Sequence, residues 1–317
     1  MSPTVRVTRR WPAPVERLLS DEFAAQLSAD DHPMTAAELG AALRHADIIL
    51  PTVSDTISGP MLRMAGRRAR AIVNYGAGVD HIDVASARDL GITVTNTPEV
   101  LTECTADLTL ALILMVCRRT GEGERELRAG CWRGWRPTHL LGHRVSGRTL
   151  GIIGLGRIGR AVARRARDGF GMKVIAHTRT PRAGERLELR EALDDLLREA
   201  DIVSLHVPAT AQTRGMIDCR RLALMRPGAY LINTARGGLV DEQALVDALR
   251  SGALAGAGLD VYSSEPAVHP GLRTLENVVL LPHLGSATEE TRAAMGLRAL
   301  DNLRAIVCGE EPPDRVV

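Results

Sequence analysis

Apolar and polar positions alternate in blocks along the chain: a short apolar run, a glycine-rich or polar turn, then a stretch with apolar residues three or four apart. The short runs predict strands at Asp47–Leu50, Ala71–Asn74, Thr93–Thr95, Thr149–Ile153, Val174–His177, Ile202–His206, Tyr230–Asn233, Gly256–Val261 and Val278–Leu281. Several are apolar almost throughout, as strands are when helices cover both faces of a parallel sheet. The longer period predicts helices over Arg157–Arg167, Leu189–Arg198 and Asp241–Ser251. Strands and helices in alternation imply an α/β protein with parallel sheets.

Two stretches break the rhythm. A strand ends in the proline turn Asn96-Thr97-Pro98 and a long helix follows, which marks a domain boundary. The segment Gly121–Arg148 is rich in Gly and Arg, carries Trp132 and Trp135, and has weak periodicity. It reads as a long loop, and a loop of that length is usually functional or an interface arm. The tryptophans argue against a disordered surface loop, because large apolar side chains are costly to leave in water.

Composition narrows the class. The 317 residues suffice for two domains, and 45% hydrophobic with 25% charged residues is ordinary for a globular protein. A net charge of +2 gives no field that would draw nucleic acid or a membrane surface, so neither is an expected partner. Lys173 is the sole lysine, which leaves little room for Schiff-base chemistry. The five cysteines, Cys104, Cys117, Cys131, Cys219 and Cys308, are scattered and include no CxxC pair. They suit a reducing cytoplasm and supply neither a disulfide framework nor a metal site. The N-terminal residues lack the apolar core of a signal peptide, and Leu108–Val116 is too short to span a bilayer.

The most specific local pattern is Thr149-Leu150-Gly151-Ile152-Ile153-Gly154-Leu155-Gly156-Arg157-Ile158-Gly159, a strand entering Gly-x-Gly-x-x-Gly and then a helix. Gly154 permits the tight turn, Gly156 lets the backbone approach a pyrophosphate, and Gly159 allows close helix–strand packing. The helix start at Arg157 and Ile158 faces the negative charge. After the next strand an NAD site would place Asp or Glu, to bind the ribose 2′-hydroxyl. Here Thr178-Arg179-Thr180 follow, with Arg182 close by. A guanidinium binds a 2′-phosphate that a carboxylate would repel, so NADP(H) is the expected cofactor, with NAD(H) usable if Arg179 only stacks on adenine.

Three later strands run into polar residues at their carboxyl ends, where open α/β sheets bind ligands. These are Arg236 after Tyr230–Asn233, Glu265 after Gly256–Val261, and His283 after Val278–Leu281. Reduction of a keto acid asks for this set. Negative charge grows on the carbonyl oxygen and needs a proton donor titrating near neutrality, the part assigned to His283. A carboxylate beside the imidazole, Glu265, favours the protonated ring and orients it. Arg236 pairs with the substrate carboxylate and polarises the carbonyl. Each residue alone has an ordinary structural reading; their joint placement carries the assignment.

Taken together, the chain from Asp47 to Pro313 resembles the D-isomer-specific 2-hydroxyacid dehydrogenase family. The resemblance rests on Asn74-Tyr75-Gly76-Ala77-Gly78-Val79-Asp80-His81-Ile82-Asp83, Asn96-Thr97-Pro98, the glycine loop, Asn233–Gly238, Gly258–Val261 and Pro282–Thr288. Gly130–Pro137 and Thr178–Arg182 are most similar to glyoxylate/hydroxypyruvate reductases. The resemblance implies a flavodoxin-like catalytic domain from residues 1–98 and 287–317. A Rossmann-type dinucleotide domain, 99–286, is inserted into it, with a homodimerisation arm around 119–148. It makes Arg236, Glu265 and His283 the catalytic residues and gives the substrate carboxylate to the backbone of Ala77 and Gly78. Val53 would line the pocket, Trp135 would reach into the partner's pocket, and Ser286 would support His283 or the substrate. The cofactor would also meet Thr105, His206, Val207, Pro208, Thr213, Thr234 and Asp260. The loop Pro51-Thr52-Val53-Ser54 departs from the leucine-rich family version, which bears on substrate preference. The same scaffold also serves dinucleotide-sensing corepressors and dehydrogenases of phosphite or 3-phosphoglycerate, and fold alone does not choose among them.

Overall fold

The computed structural model describes residues 3–181 and 187–317. The chain divides into two compact units, Met1–Leu101 with Ser286–Val317, and Thr102–Gly285.

The first unit holds a four-stranded parallel sheet in the order β1 (Val5–Val7), β2 (Ile48–Leu50), β3 (Ala71–Val73), β4 (Thr93–Thr95). Arg6 also bridges to Gln26 in parallel at the outer edge of β1. With that bridge counted as a strand, the order is the 2-1-3-4-5 of a flavodoxin-like sheet. Successive residues point to opposite faces, so Ile48, Leu50 and Val73 enter one core while Ile49, Ile72 and Val94 enter the other. The helix Glu289–Cys308 packs into the first of these through Met295, Ala299, Leu300 and Leu303. Its start is capped by the Thr288 hydroxyl, and Gly309, at φ 76°, ends it in the left-handed region.

The second unit holds a seven-stranded parallel sheet. Its strands are β5 (Thr149–Ile153), β6 (Lys173–His177), β7 (Glu188–Leu189), β8 (Ile202–Leu205), β9 (Ala229–Asn233), β10 (Leu254–Leu259) and β11 (Val278–Leu280). The order β11-β10-β9-β8-β5-β6-β7 reverses direction between β8 and β5. That is the switch point at which doubly wound sheets bind their ligands. Glycine brings the helix Thr102–Cys117 close to β10: a side chain at Gly256 would lie 2.7 Å from Val116, and one at Gly258 3.1 Å from Leu112. No described helix is long and apolar enough to cross a membrane.

Some expectations are corrected. Gly121–Arg128 is not loop but part of the helix Thr120–Arg128. Its glycines hide a charge pattern that supports a helix, with Glu122 paired to Arg119 and Glu124 to Arg128 one turn apart. The helix expected over Leu189–Arg198 begins at Leu193, because Leu189 pairs with Ala176 as part of β7. The strand expected over Gly256–Val261 runs from Leu254 to Leu259. Two strands went unread: β1, whose central Arg6 interrupts the apolar run, and the two-residue β7.

Candidate active site

The glycine loop leaves β5 at the switch point. Gly154 has φ 102°, and a Cβ there would lie 2.5 Å from the His206 carbonyl oxygen. At Gly159 a Cβ would lie 2.1 Å from the Gly154 oxygen, so the helix Arg157–Phe170 can press on the loop only without a side chain at that position. Nothing lies within 4 Å of a Cβ built on Gly156, and no side chain caps the helix start there. An open glycine before uncapped helical N–H groups fits a dinucleotide pyrophosphate. Ile158 is half-buried against the apolar layer that includes Leu150 and Ile152, while Arg157 is exposed.

The neighbouring turns close around this loop. The Gly154 amide donates to the His177 carbonyl at 2.9 Å, and the His206 amide to Ile153 at 2.8 Å. After β8, Thr213 donates its hydroxyl to the Pro208 carbonyl at 2.7 Å and accepts from the Thr210 amide at 2.8 Å, fixing the His206-Val207-Pro208 turn. His206 Nε2 lies 2.8 Å from the Ser204 hydroxyl, and burial pushes the imidazole down from 6.5 to about 4. Thr178 is half-buried at the end of β6, with Arg179 and Thr180 exposed; Arg179 has no ion-pair partner among the described residues. Arg182 lies outside the described residues.

The turns after β9, β10 and β11 bring Arg236, Glu265 and His283 together. Asn233 clamps the first, donating to the Arg236 carbonyl at 2.8 Å and accepting the Ala235 amide at 3.0 Å. Gly237 lets this turn abut the second, since a Cβ there would lie 1.9 Å from the Tyr262 carbonyl carbon. One Glu265 oxygen accepts the Tyr262 amide at 3.0 Å, and the other meets His283 Nδ1 at 2.8 Å. Burial would lift the Glu265 carboxyl. The bond and charge of His283, the Tyr262 amide and the charge of Arg236 outweigh burial and hold it below the usual range. With Nδ1 engaged, His283 Nε2 has no hydrogen-bond partner among the described residues.

His283 sits at φ 57°, a conformation that costs a non-glycine residue roughly 1–3 kcal/mol. Asp260 holds it there. The fully buried Asp260 carboxylate accepts the Leu284 amide at 2.7 Å and the Gly285 amide at 2.8 Å, while its carbonyl takes the His283 amide at 2.9 Å. Burial raises the Asp260 carboxyl against the pull of those amides. Thr105, Thr109 and Thr234 tie the helix Thr102–Cys117 to the same turns. Thr105 donates to Gly285 at 2.8 Å, and the Thr109 hydroxyl lies 2.9 Å from that of Thr234. The parts played by Asn233, Thr109, Tyr262 and the Asp260 carboxylate went unread. For Asn233, Asp260 and Tyr262 the one signal was a polar run closing an apolar strand; Thr109, inside the helix Thr102–Cys117, gave none.

The remaining expected residues divide between the two units. Val53, Ala77, Gly78 and Ser286 belong to the first unit. There Val53 is 41% exposed and abuts Gly76, where a Cβ would lie 3.2 Å from it. Trp135 is 82% exposed. Among the described residues, no cluster of three or more His, Cys, Asp or Glu could hold a metal.

The family model described as "D-isomer specific 2-hydroxyacid dehydrogenase, NAD binding domain" matches residues 110–285. The chain belongs to this family. Among relatives of this D-2-hydroxyacid dehydrogenase, the glyoxylate reductase of Thermococcus onnurineus is 42% identical over 100% of this chain and 96% of its own length. That of Thermococcus litoralis is 43% identical over 100% and 97%. A solved NADPH-dependent glyoxylate/hydroxypyruvate reductase from Sinorhizobium meliloti, in complex with NADP and malonate, superposes with a TM-score of 0.89. It is 37% identical and covers 100% of this chain and 97% of its own. Membership makes the bound group a nicotinamide dinucleotide.

His206 predicts an acid limb of stability. Between 6.5 and about 4 the unfolded chain takes up a proton that the folded chain refuses, so stability falls as pH falls through that window. The slope is up to about 1.4 kcal/mol per pH unit. Urea unfolding at pH 7 and pH 5 should show His206→Gln losing less stability on acidification than the parent; equal losses would remove His206 as the cause.

Proposed function

We propose that this dehydrogenase reduces a small 2-keto acid, glyoxylate or hydroxypyruvate, to the D-2-hydroxy acid, prefers NADP(H) over NAD(H), and works as a homodimer. The observation that carries the reading is the 2.8 Å contact of His283 Nδ1 with a Glu265 carboxylate that also feels the charge of Arg236. The reductase relatives narrow the substrate.

When bound, the dihydronicotinamide supplies the hydride. His283 Nε2 gives its proton to the carbonyl oxygen as negative charge grows there. Glu265 keeps the ring oriented through its contact with Nδ1, leaving Nε2 to face the substrate. Arg236 takes the substrate carboxylate and polarises the carbonyl, and the amides of Ala77 and Gly78 are assigned to the same carboxylate. Thr178 and Arg179 stand where an NAD enzyme would carry an acid, which supports NADP(H). Leu127, Trp132, Trp135 and Leu141 are all exposed on residues 119–148, which supports that segment as the dimer arm.

The test is a panel of short 2-keto acids with NADPH and NADH in parallel. Turnover is expected with glyoxylate or hydroxypyruvate and NADPH; none with any short keto acid overturns the reading. His283→Ala should lower kcat about 10²–10⁴-fold with NADPH affinity nearly unchanged, and near-normal turnover would refute its role. Thr178→Asp combined with Arg179→Ala should turn the preference to NADH; a variant still favouring NADPH shows the strand end misread. Sedimentation should give a dimer, and Trp135→Ala should admit longer keto acids. A monomeric parent, or unchanged selectivity in the variant, counts against the arm.

A further inference from the structure

In the first unit, the loop after β3 has three consecutive carbonyls tied down by side-chain amides. Asn74, fully buried, donates Nδ2 to the Gly76 carbonyl at 3.0 Å and to the Gly78 carbonyl at 2.9 Å. Asn96 donates Nδ2 to the Ala77 carbonyl between them at 2.7 Å. The Thr97 amide adds a further bond to Gly76 at 3.0 Å. The Asn74 amide is itself oriented, because its Oδ1 lies 3.0 Å from His81 Nε2. With both donor sites of Nδ2 spent on carbonyls, Oδ1 must accept, so His81 carries its proton on Nε2.

In a planar trans peptide the carbonyl and the following N–H point in opposite directions. Pinning the carbonyls of Gly76, Ala77 and Gly78 therefore fixes the N–H groups of Ala77, Gly78 and Val79, each pointing away from the carbonyl of its own peptide. Among the described residues, none of these three amides donates to an acceptor. Successive N–H groups held to one side form a concavity suited to an anion.

We propose that Asn74 and Asn96 are positioning residues, with His81 fixing the Asn74 amide, and that together they hold the 77–79 amides as a cradle for the substrate carboxylate. This rests on the assignment of that carboxylate to Ala77 and Gly78. The sequence reading named the cradle but not what aims it. Asn74 is nearly isosteric with Asp, yet Asp would set a carboxylate against two carbonyl oxygens and release them. Removing the Asn96 side chain frees the third.

The experiment measures glyoxylate kinetics, NADPH affinity and oxamate binding to the NADPH-loaded enzyme by calorimetry. Asn74→Asp should raise KM about 10–100-fold and Asn96→Ala several-fold, with kcat within about threefold and NADPH affinity unchanged. Loss of binding common to ground and transition states appears in KM alone. Oxamate affinity should fall in the same ratio. A merely structural role would instead lower kcat or NADPH affinity and leave KM in place. Folded variants with parental KM and oxamate affinity overturn the inference, as does a parent that binds no oxamate. If Asn74→Asp does not fold, Asn96→Ala and His81→Leu decide by the same readings. A parent that binds oxamate, loses it in the variants and reduces no keto acid would leave this inference standing and remove the proposed reaction.

Discussion

The chemistry proposed for the site depends on how the Glu265 carboxylate is held. Its two oxygens are divided between the Tyr262 amide and the His283 ring. The first bond fixes the carboxylate to its own turn, and the second reaches across to the turn after β11. Desolvation alone would favour a proton on this carboxylate; the bond and charge of His283, the Tyr262 amide and the charge of Arg236 together reverse that tendency. The His283 backbone must then stay in the left-handed region to present the ring. The matching restraint is Asp260, which spends both oxygens and its carbonyl on three consecutive amides. One acid holds the ring and another holds the backbone that carries it. The fold provides both because β9, β10 and β11 are adjacent and parallel, so their carboxyl ends open on the same side.

Much of this was legible before any coordinates. The parallel strands announce themselves as apolar runs because both of their faces are covered, and the glycine loop is readable because each glycine has a separate steric reason. Arg236, Glu265 and His283 could be picked out as polar residues directly after such runs. Where the reading stopped, the reason is physical. β1 is three residues long with an arginine at its centre, so its signal is weaker than that of its neighbours. The helix Thr120–Arg128 buries none of its residues and carries two glycines, so no apolar stripe betrays it. The Asn233 clamp, the Thr109–Thr234 contact and the Asp260 cap are tertiary hydrogen bonds. They depend on which turns become neighbours, and a linear pattern does not encode that.

Buried polar side chains do the same kind of work in both units. In one, Asn233 and Asp260 satisfy backbone groups at strand ends; in the other, Asn74 ties down the carbonyls of a loop. Asp55 belongs to the same class, accepting the Thr8 hydroxyl at 2.6 Å and the Thr52 amide at 2.8 Å beneath the loop that carries Val53. Each spends a desolvated group on shaping backbone, and a buried group left unpaired would cost more than the bond returns. Through these bonds they decide where the neighbouring backbone and side chains point.

The division of the chain has a consequence for how such an enzyme can change. The glycine loop, the cofactor-end turns and the Arg236–Glu265–His283 group all lie within the continuous stretch Thr102–Gly285, whereas Val53, Ala77 and Gly78 lie in the other unit. In the proposed mechanism, acid–base chemistry and nucleotide recognition are thus inherited together on one uninterrupted length of chain. Substitutions around Val53, Ala77 and Gly78, the proposed contacts of the acid in the other unit, can accumulate there without touching the hydrogen bond that orients the His283 ring.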